Sequence, residues 1–266
     1  MYDTHIHSTF SHDGISKLEE YKNVIDKGIV KGIGFTEHRD FMPGCGGYGT
    51  FQYQSYAAAI KAFRENGYEF HSGAEIDYAK QVEEEIFAAL ARESYEYIIC
   101  SVHTIDGVSL SVKGAMEGFN GLEGSAAVLD RYYSEVNHSL RVEQFDVIGH
   151  IGIYRRYLEK DYLDKSSLYA GIAEMENELA KACAVSDKII EVNSSGLFSQ
   201  SESLYASETF LRTYFMHGGR MISLGSDAHR ADDVAKGFTG AIKTLLEIGF
   251  QYLYLPWDRE NPIKIN

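Results

Sequence analysis

Histidines and acidic residues recur along this chain at short, regular spacings. His5 and His7 are separated by one residue, as are Glu75 and Asp77, Glu191 and Asn193, and Asp227 and His229; Glu37 and His38 are adjacent, and His103 and His150 stand singly. Imidazole nitrogen and carboxylate oxygen are the ligands that zinc, iron and manganese take. In an extended strand, residues i and i+2 face the same side. A His-x-His or Asp-x-His pair at the end of a strand can therefore grip one ion, or two neighbouring ions.

Each of these groups closes a short, apolar, β-rich run. Strands are predicted at Tyr2–Ile6, Gly32–Thr36, Glu69–Ile76, Tyr97–Val102, Asp146–Ile148, Lys188–Val192 and Met221–Leu224. Amphipathic stretches between them predict helices over Ser16–Val30, Gln54–Asn66, Gln81–Ser94, Leu122–Arg141, Ser166–Ser186, Glu202–His217 and Ala231–Ile248. Ser16 and Glu19 have capping-box spacing, and Gly67 and Gly218 stand where a helix is expected to end. Such alternation implies parallel strands joined by crossover helices. An open sheet would spread the strand ends over roughly 30 Å, at about 4.8 Å per strand, whereas a closed barrel brings them to one mouth. A metal cluster needs the second arrangement, so an α/β barrel with the cluster at its C-terminal mouth is expected. The aperiodic segment Asp106–Asn120 reads as a long loop over that face.

Among the 10 histidines, His71 lies within a strand, His138 in a helix and His217 at a helix end, and these read as structural or surface residues. The remaining histidines sit at strand ends or in the first loop after one. His12 is in such a loop, and spacing alone leaves it unassigned.

The 266 residues suit one barrel domain, 1–266. Hydrophobic residues make up 44% and charged residues 24%, as in a soluble globular enzyme. No leader or membrane-spanning segment is read from the sequence, and Cys45, Cys100 and Cys183 have no metal or disulfide spacing, so a cytoplasmic protein is expected. The net charge of −14 argues against nucleic-acid and membrane partners. It also repels phosphate, so phosphate chemistry would need bound metal or local arginines. The run Gly44-Cys45-Gly46-Gly47-Tyr48-Gly49 matches GxGxxG, but Glu37-His38 and Pro43 separate it from its strand, so it reads as a glycine loop near the cleft rather than a dinucleotide site.

Taken together, His5-Ile6-His7, Ser11-His12-Asp13-Gly14, Thr36-Glu37-His38, Gly73-Ala74-Glu75, Ser101-Val102-His103, Gly149-His150 and Ser226-Asp227-Ala228-His229 resemble the motifs of the polymerase-and-histidinol-phosphatase (PHP) superfamily. The resemblance runs from residue 2 to about 230 and implies a distorted (β/α)7 barrel. It also implies three divalent ions (Zn, Fe or Mn). The first would take His5, His7, Glu75 and Asp227; the second would share Glu75 and add His103 and His150; the third would take His12, His38 and His229. Within the superfamily the chain is similar to the stand-alone histidinol-phosphate phosphatases. This rests on Ser101–Gly107, the arginine-bearing Gly149–Tyr157 and Glu191–Gly196, with Gly152 departing from the acidic residue expected there. The activity implied is hydrolysis of L-histidinol phosphate in histidine biosynthesis, with nucleotide, cyclic or sugar phosphates as the alternative.

For that reaction Arg155 or Arg156 is expected to clamp the phosphate, and Asp227 and His229 are the candidates for proton transfer. Glu37, Asp77, Asp106 and Glu191 are candidates to meet the amine and imidazole of the substrate, or else to support ligands or face solvent. The partner expected is a small phosphorylated molecule, with the oligomeric state open. A C–N hydrolase is disfavoured because no strand-end lysine is present to be carboxylated. A non-catalytic module serving a polymerase is disfavoured by length and charge.

Overall fold

In a computed structural model of the chain, residues 1–113, 121–157 and 167–265 are described. Seven parallel strands form one sheet in the order β1 (Tyr2–Ile6), β2 (Gly32–Asp40), β3 (Glu69–Asp77), β4 (Tyr97–Ser101), β7 (Val147–Ile148), β8 (Ile189–Asn193) and β9 (Ile222–Gly225). The sheet rolls until its outer strands meet. Thr4 Oγ1 donates to the Leu224 carbonyl (2.9 Å), His7 N–H to Ala228 O (2.9 Å) and Asp227 N–H to His5 O (2.9 Å). These links lie toward the C-terminal ends, so the barrel is fastened at the mouth that carries the polar residues.

Among the described residues seven helices cover the outside: α1 (Leu18–Asp26), α2 (Tyr53–Glu65), α3 (Glu83–Leu90), α4 (Gly121–Ser139), α5 (Ser167–Ala184), α6 (Glu208–Met216) and α7 (Phe238–Ile248). Each turns a narrow apolar stripe inward, as Leu18, Tyr21 and Val24 do in α1. The helix ends differ from expectation in two places. The α1 box is one residue later than Ser16–Glu19: Glu20 accepts from the Lys17 N–H (2.7 Å), while Ser16 Oγ also donates to Glu20 (3.1 Å). α6 begins at Glu208 rather than Glu202, because the Ser207 hydroxyl caps it by accepting from Phe210 N–H (3.1 Å). Gly67 (φ +87°) and Gly218 (φ +95°) end α2 and α6 in the left-handed conformation that favours glycine.

At the N-terminal end the barrel is filled. The Tyr97 ring crosses the interior, and its hydroxyl donates to Thr4 O (2.6 Å). A Cβ on Gly34 would come within 2.0 Å of Tyr97 and one on Gly73 within 2.9 Å, so both glycines make room for this ring. A C-terminal hairpin unforeseen from the sequence, β10 (Tyr252–Leu255) with β11 (Asp258–Lys264), lays Trp257 flat on His71 at 3.9 Å between centroids. His71 is thereby a packing residue, as expected. A second small hairpin, β5 (Thr104–Ile105) with β6 (Val108–Ser109), breaks into the segment read as a loop from Asp106. Residues 114–120 of that segment and the predicted helix start at Ser166 lie outside the described residues.

Candidate metal centre

The filled bottom leaves polar side chains only one place to gather, at the mouth. β1 brings His5 and His7; β2, four residues longer than predicted, brings Glu37, His38 and Asp40; β3 ends in Glu75 and Asp77. His103 and His150 directly follow β4 and β7, and Asp227 and His229 follow β9.

Glu75 is the hub. It is fully buried, and five imidazoles surround its two oxygens: His5 at 3.4 Å, His103 at 3.5 Å and His150 at 2.7 Å from Oε1, and His7 at 3.4 Å and His38 at 3.0 Å from Oε2. Asp227 Oδ1 completes one side, 3.3 Å from His7 and 3.8 Å from His5. Among the described residues three groups have ligand atoms close enough to share a cation: His5, His7 and Glu75; Glu75, His103 and His150; and His7, His38 and His229.

The hydrogen bonds fix which ring nitrogens point inward. His5 Nδ1 donates to Glu191 Oε1 (2.6 Å). The Ser11 hydroxyl donates to Glu37 (2.6 Å), so it must accept from His7 Nδ1 (3.2 Å) as well as from the His38 N–H (2.9 Å). The Nε2 atoms of His5 and His7 are thus left facing each other at 3.1 Å, and those of His103 and His150 also lie 3.1 Å apart. Two imidazole lone pairs at that distance repel unless a proton or a metal cation lies between them. Burial, with His38 and His229 adding to it, lowers the His7 pKa to about 3, so a proton in that position belongs to His5, and a metal cation would take its place. Glu75 Oε2 is buried without a hydrogen-bond partner, an expensive arrangement in a dry interior. The facing Nε2 atoms and the Glu75 oxygens are donor atoms that fit a divalent metal.

Two of the residues weighed for substrate contact instead support ligands. Glu191 is fully buried; besides His5 it accepts from the His150 N–H (2.6 Å) and Asn193 Nδ2 (3.3 Å). Glu37 is equally buried and accepts from the Ser8 and Ser11 hydroxyls. Neither reaches the substrate space, because the ligands stand in front of them. Asp77 accepts from the His103 N–H (2.9 Å) yet also lines the cavity. Asp106 is an exposed partner of Arg131 (2.5 Å).

The arginines separate. Arg155 points into the core, where it pairs with Glu176 on α5 (2.8 Å) and is 8% exposed, so it is corrected from phosphate clamp to buried ion pair. A one-residue step along the 3-10 turn Ile153–Tyr157 turns the next side chain the other way. Arg156 lines the cavity, 2.9 Å from Asp227 Oδ2. Burial opposes ionisation of Asp227, but His7, His5 and Arg156 overcome it and hold its carboxyl well below the usual range.

His12 and Asp13 both stand beside His38 at the cavity wall. His12 lies with its ring centroid 5.3 Å from that of His38, against Gly46. It is Asp13 whose Oδ2 stands between His38 Nε2 (3.4 Å) and His229 Nε2 (3.2 Å). Sequence spacing carried no signal for this, since a loop residue's orientation has no period. Asp3 was also missed: fully buried, it accepts from the Ser226 and Ala235 N–H groups (3.0 and 2.9 Å), fixing the loop that carries Asp227. Asp227 itself adopts φ +54°, a left-handed conformation uncommon outside glycine, which aims its carboxylate into the cluster.

The cavity above the cluster has a volume of about 470 Å³. Its walls include His12, Asp13, Asp40, the Met42–Gly46 loop, Asp77 and Arg156. The glycine run thus lines the cleft, as expected, and opens no helix.

A family model described as "PHP domain" matches residues 3–195. A "Probable histidinol-phosphatase" of Clostridium acetobutylicum is 26% identical over 246 residues, covering 91% of this chain and 92% of that one. Another of that name, from Thermotoga maritima, is 24% identical over the full length of both. A "Histidinol-phosphatase" of Lactococcus lactis is 26% identical, covering 86% of this chain and 84% of that one. Among solved structures, histidinol phosphate phosphatase from Lactococcus lactis complexed with zinc, L-histidinol and phosphate superposes with TM-score 0.80 at 22% identity, covering 98% of each chain. A structure from Listeria monocytogenes superposes with TM-score 0.75 at 16% identity, covering 90% of this chain and 99% of that one. The likeness of fold extends over the whole barrel.

Proposed function

This chain belongs to the PHP domain family, and on that premise we propose that it is a metal-dependent phosphatase that hydrolyses L-histidinol phosphate to L-histidinol and phosphate in histidine biosynthesis. The metal chemistry rests on one observation, the convergence of five imidazoles on the buried carboxylate of Glu75. The choice of substrate rests on full-length likeness to histidinol-phosphatases. We propose three divalent ions, with zinc first and iron or manganese as alternatives.

The inner two would be held by His5, His7, Glu75 and Asp227, and by Glu75, His103 and His150. The outer ion would be held by His38 and His229, with His12 the family's further ligand and Asp13 the carboxylate that stands between them here. When bound, such ions act as Lewis acids toward phosphoryl oxygens and bring the pKa of water near neutrality. They also reverse the local charge, so an anionic ester can enter an acidic protein.

The remaining steps fall to side chains. Arg156 offers guanidinium N–H donors at the cavity wall and would hold the phosphoryl oxygens, its contact with Asp227 keeping the fork in place. Asp227, held ionised by His7, His5 and Arg156, serves as ligand and base rather than acid. His229 donates Nδ1–H to the Asp227 carbonyl (2.9 Å), which leaves Nε2 facing the cavity, where it either binds the outer ion or holds a proton. Glu191 and Glu37 lock the tautomers of His5 and His7 so that Nε2 is presented inward.

Among the described residues no helix is long and apolar enough to cross a membrane. Cys45, Cys100 and Cys183 are free thiols, which fits a reducing compartment, and we place the enzyme in the cytoplasm as a single domain over 1–266.

Phosphate release should be measured over a panel of L-histidinol phosphate, nucleoside monophosphates and sugar phosphates. The highest kcat/KM is expected for L-histidinol phosphate. A clear preference for another ester would transfer the same metal chemistry to that substrate.

A further inference from the structure

The cavity that carries the cluster and Arg156 is also lined by Asp40, the last residue of β2, where the glycine loop begins. Asp40 lines the cavity but is only 6% exposed. Among the described residues no basic side chain pairs with it, and it receives a single hydrogen bond, to Oδ2 from the Gly47 N–H (3.1 Å). The neighbouring carboxylate differs. Asp77 is occupied by the His103 N–H, the Thr104 hydroxyl (3.2 Å) and the Cys45 thiol (3.6 Å). The glycine run is shaped around Asp40. A Cβ on Gly47 would lie 2.6 Å from Asp40 Oδ2 and 2.8 Å from His12 Nδ1, so the backbone can close over Asp40 only because no side chain is there.

A nearly buried carboxylate with no basic side chain paired to it is costly to ionise unless a cationic partner arrives. Resting on the phosphatase function proposed above, we propose that Asp40 binds the substrate's ammonium group and sets the preference for amine-bearing phosphate esters. Phosphate and ammonium are then recognised within one cavity, the phosphate by Arg156 and the cluster and the ammonium by Asp40. An ester lacking the amine leaves Asp40 unpaired, so discrimination arises from the unmet carboxylate as well as from the lost contact.

The test compares L-histidinol phosphate with 3-(imidazol-4-yl)propyl phosphate, which differs only by lacking the amine, in the metal-loaded wild-type enzyme and in Asp40→Asn. Asparagine keeps the acceptor for the Gly47 N–H and removes the charge. We expect the wild type to favour the amine-bearing ester by about 10- to 100-fold in kcat/KM, the range for a hydrogen bond to a charged group. In Asp40→Asn that ratio should fall to near unity, with the loss in KM. Asp40→Ser provides the same comparison if the asparagine variant folds poorly, and Asp40→Glu should keep the preference. An unchanged ratio in the neutral variants, with a wild type that does favour the amine, overturns the inference and leaves the phosphatase function standing. A wild type that turns over neither ester but hydrolyses another phosphate overturns both.

Discussion

Glu191 Oε1 lies 2.6 Å from His5 Nδ1, deep behind the cluster, where neither side chain is exposed. Burial disfavours a charged His5, yet Glu191 and Glu75 prevail and raise its pKa well above the ordinary value. The carboxylate thus fixes the tautomer, makes the opposite nitrogen more basic, and through its second oxygen holds the backbone of His150. One residue thereby orients ligands from β1 and β7. In Glu191→Gln we expect a 10- to 100-fold loss of metal affinity or activity, measured by metal titration of the chelated protein. Wild-type affinity in that variant would show that His5 is oriented by packing alone.

Glu75 is predicted to be less replaceable still. In Glu75→Gln the shared carboxylate of both inner groups is lost, so metal content per chain, read by atomic spectroscopy, should fall for both inner ions together. Loss confined to one ion would contradict the bridging role.

The arginine pair predicts opposite phenotypes. Arg156→Ala should lower kcat/KM by about 100-fold or more while the melting temperature stays close to wild type, as expected on losing a charge-assisted phosphate clamp. Arg155→Ala strands Glu176 without its partner in the core, at a cost of about 3 kcal/mol or more, or roughly 6 to 12 °C in melting temperature. Equal effects of the two on stability would remove the distinction.

Much of this was legible in the sequence. Apolar β-rich runs located all seven barrel strands, because each is buried on both faces and needs no alternation. The strand-end histidines pointed to metal, because one chemistry demanded all of them at one end. The ends of elements were less legible. Polar Glu37, His38 and Asp40 hid the last turn of β2, which a barrel mouth tolerates because those side chains face ligands instead of oil. Arg155 could not be told from Arg156 by sequence, since their difference lies in Glu176, twenty-one residues after Arg155 on α5. The Trp257 hairpin was missed because its short strands are recognisable only once the barrel bottom they close is known.

The loop after β1 separates two neighbours in the same way. Asp13 lies between His38 and His229, and His12 stands aside against the glycine loop. We expect Asp13→Asn and His12→Ala each to weaken the outermost ion while the inner pair is retained. Full metal content in His12→Ala would remove His12 from the ligand set that the family resemblance implies.

Bound metal gathered around Glu75 is what would make this chain a histidinol-phosphate phosphatase. The most direct test is phosphate release from L-histidinol phosphate by one preparation measured three times: as purified, after exhaustive chelation, and after zinc is returned. Activity should vanish on chelation and recover with zinc, in step with metal content. Turnover that persists in the stripped protein, or that fails to appear with any of zinc, iron or manganese restored, would contradict the account.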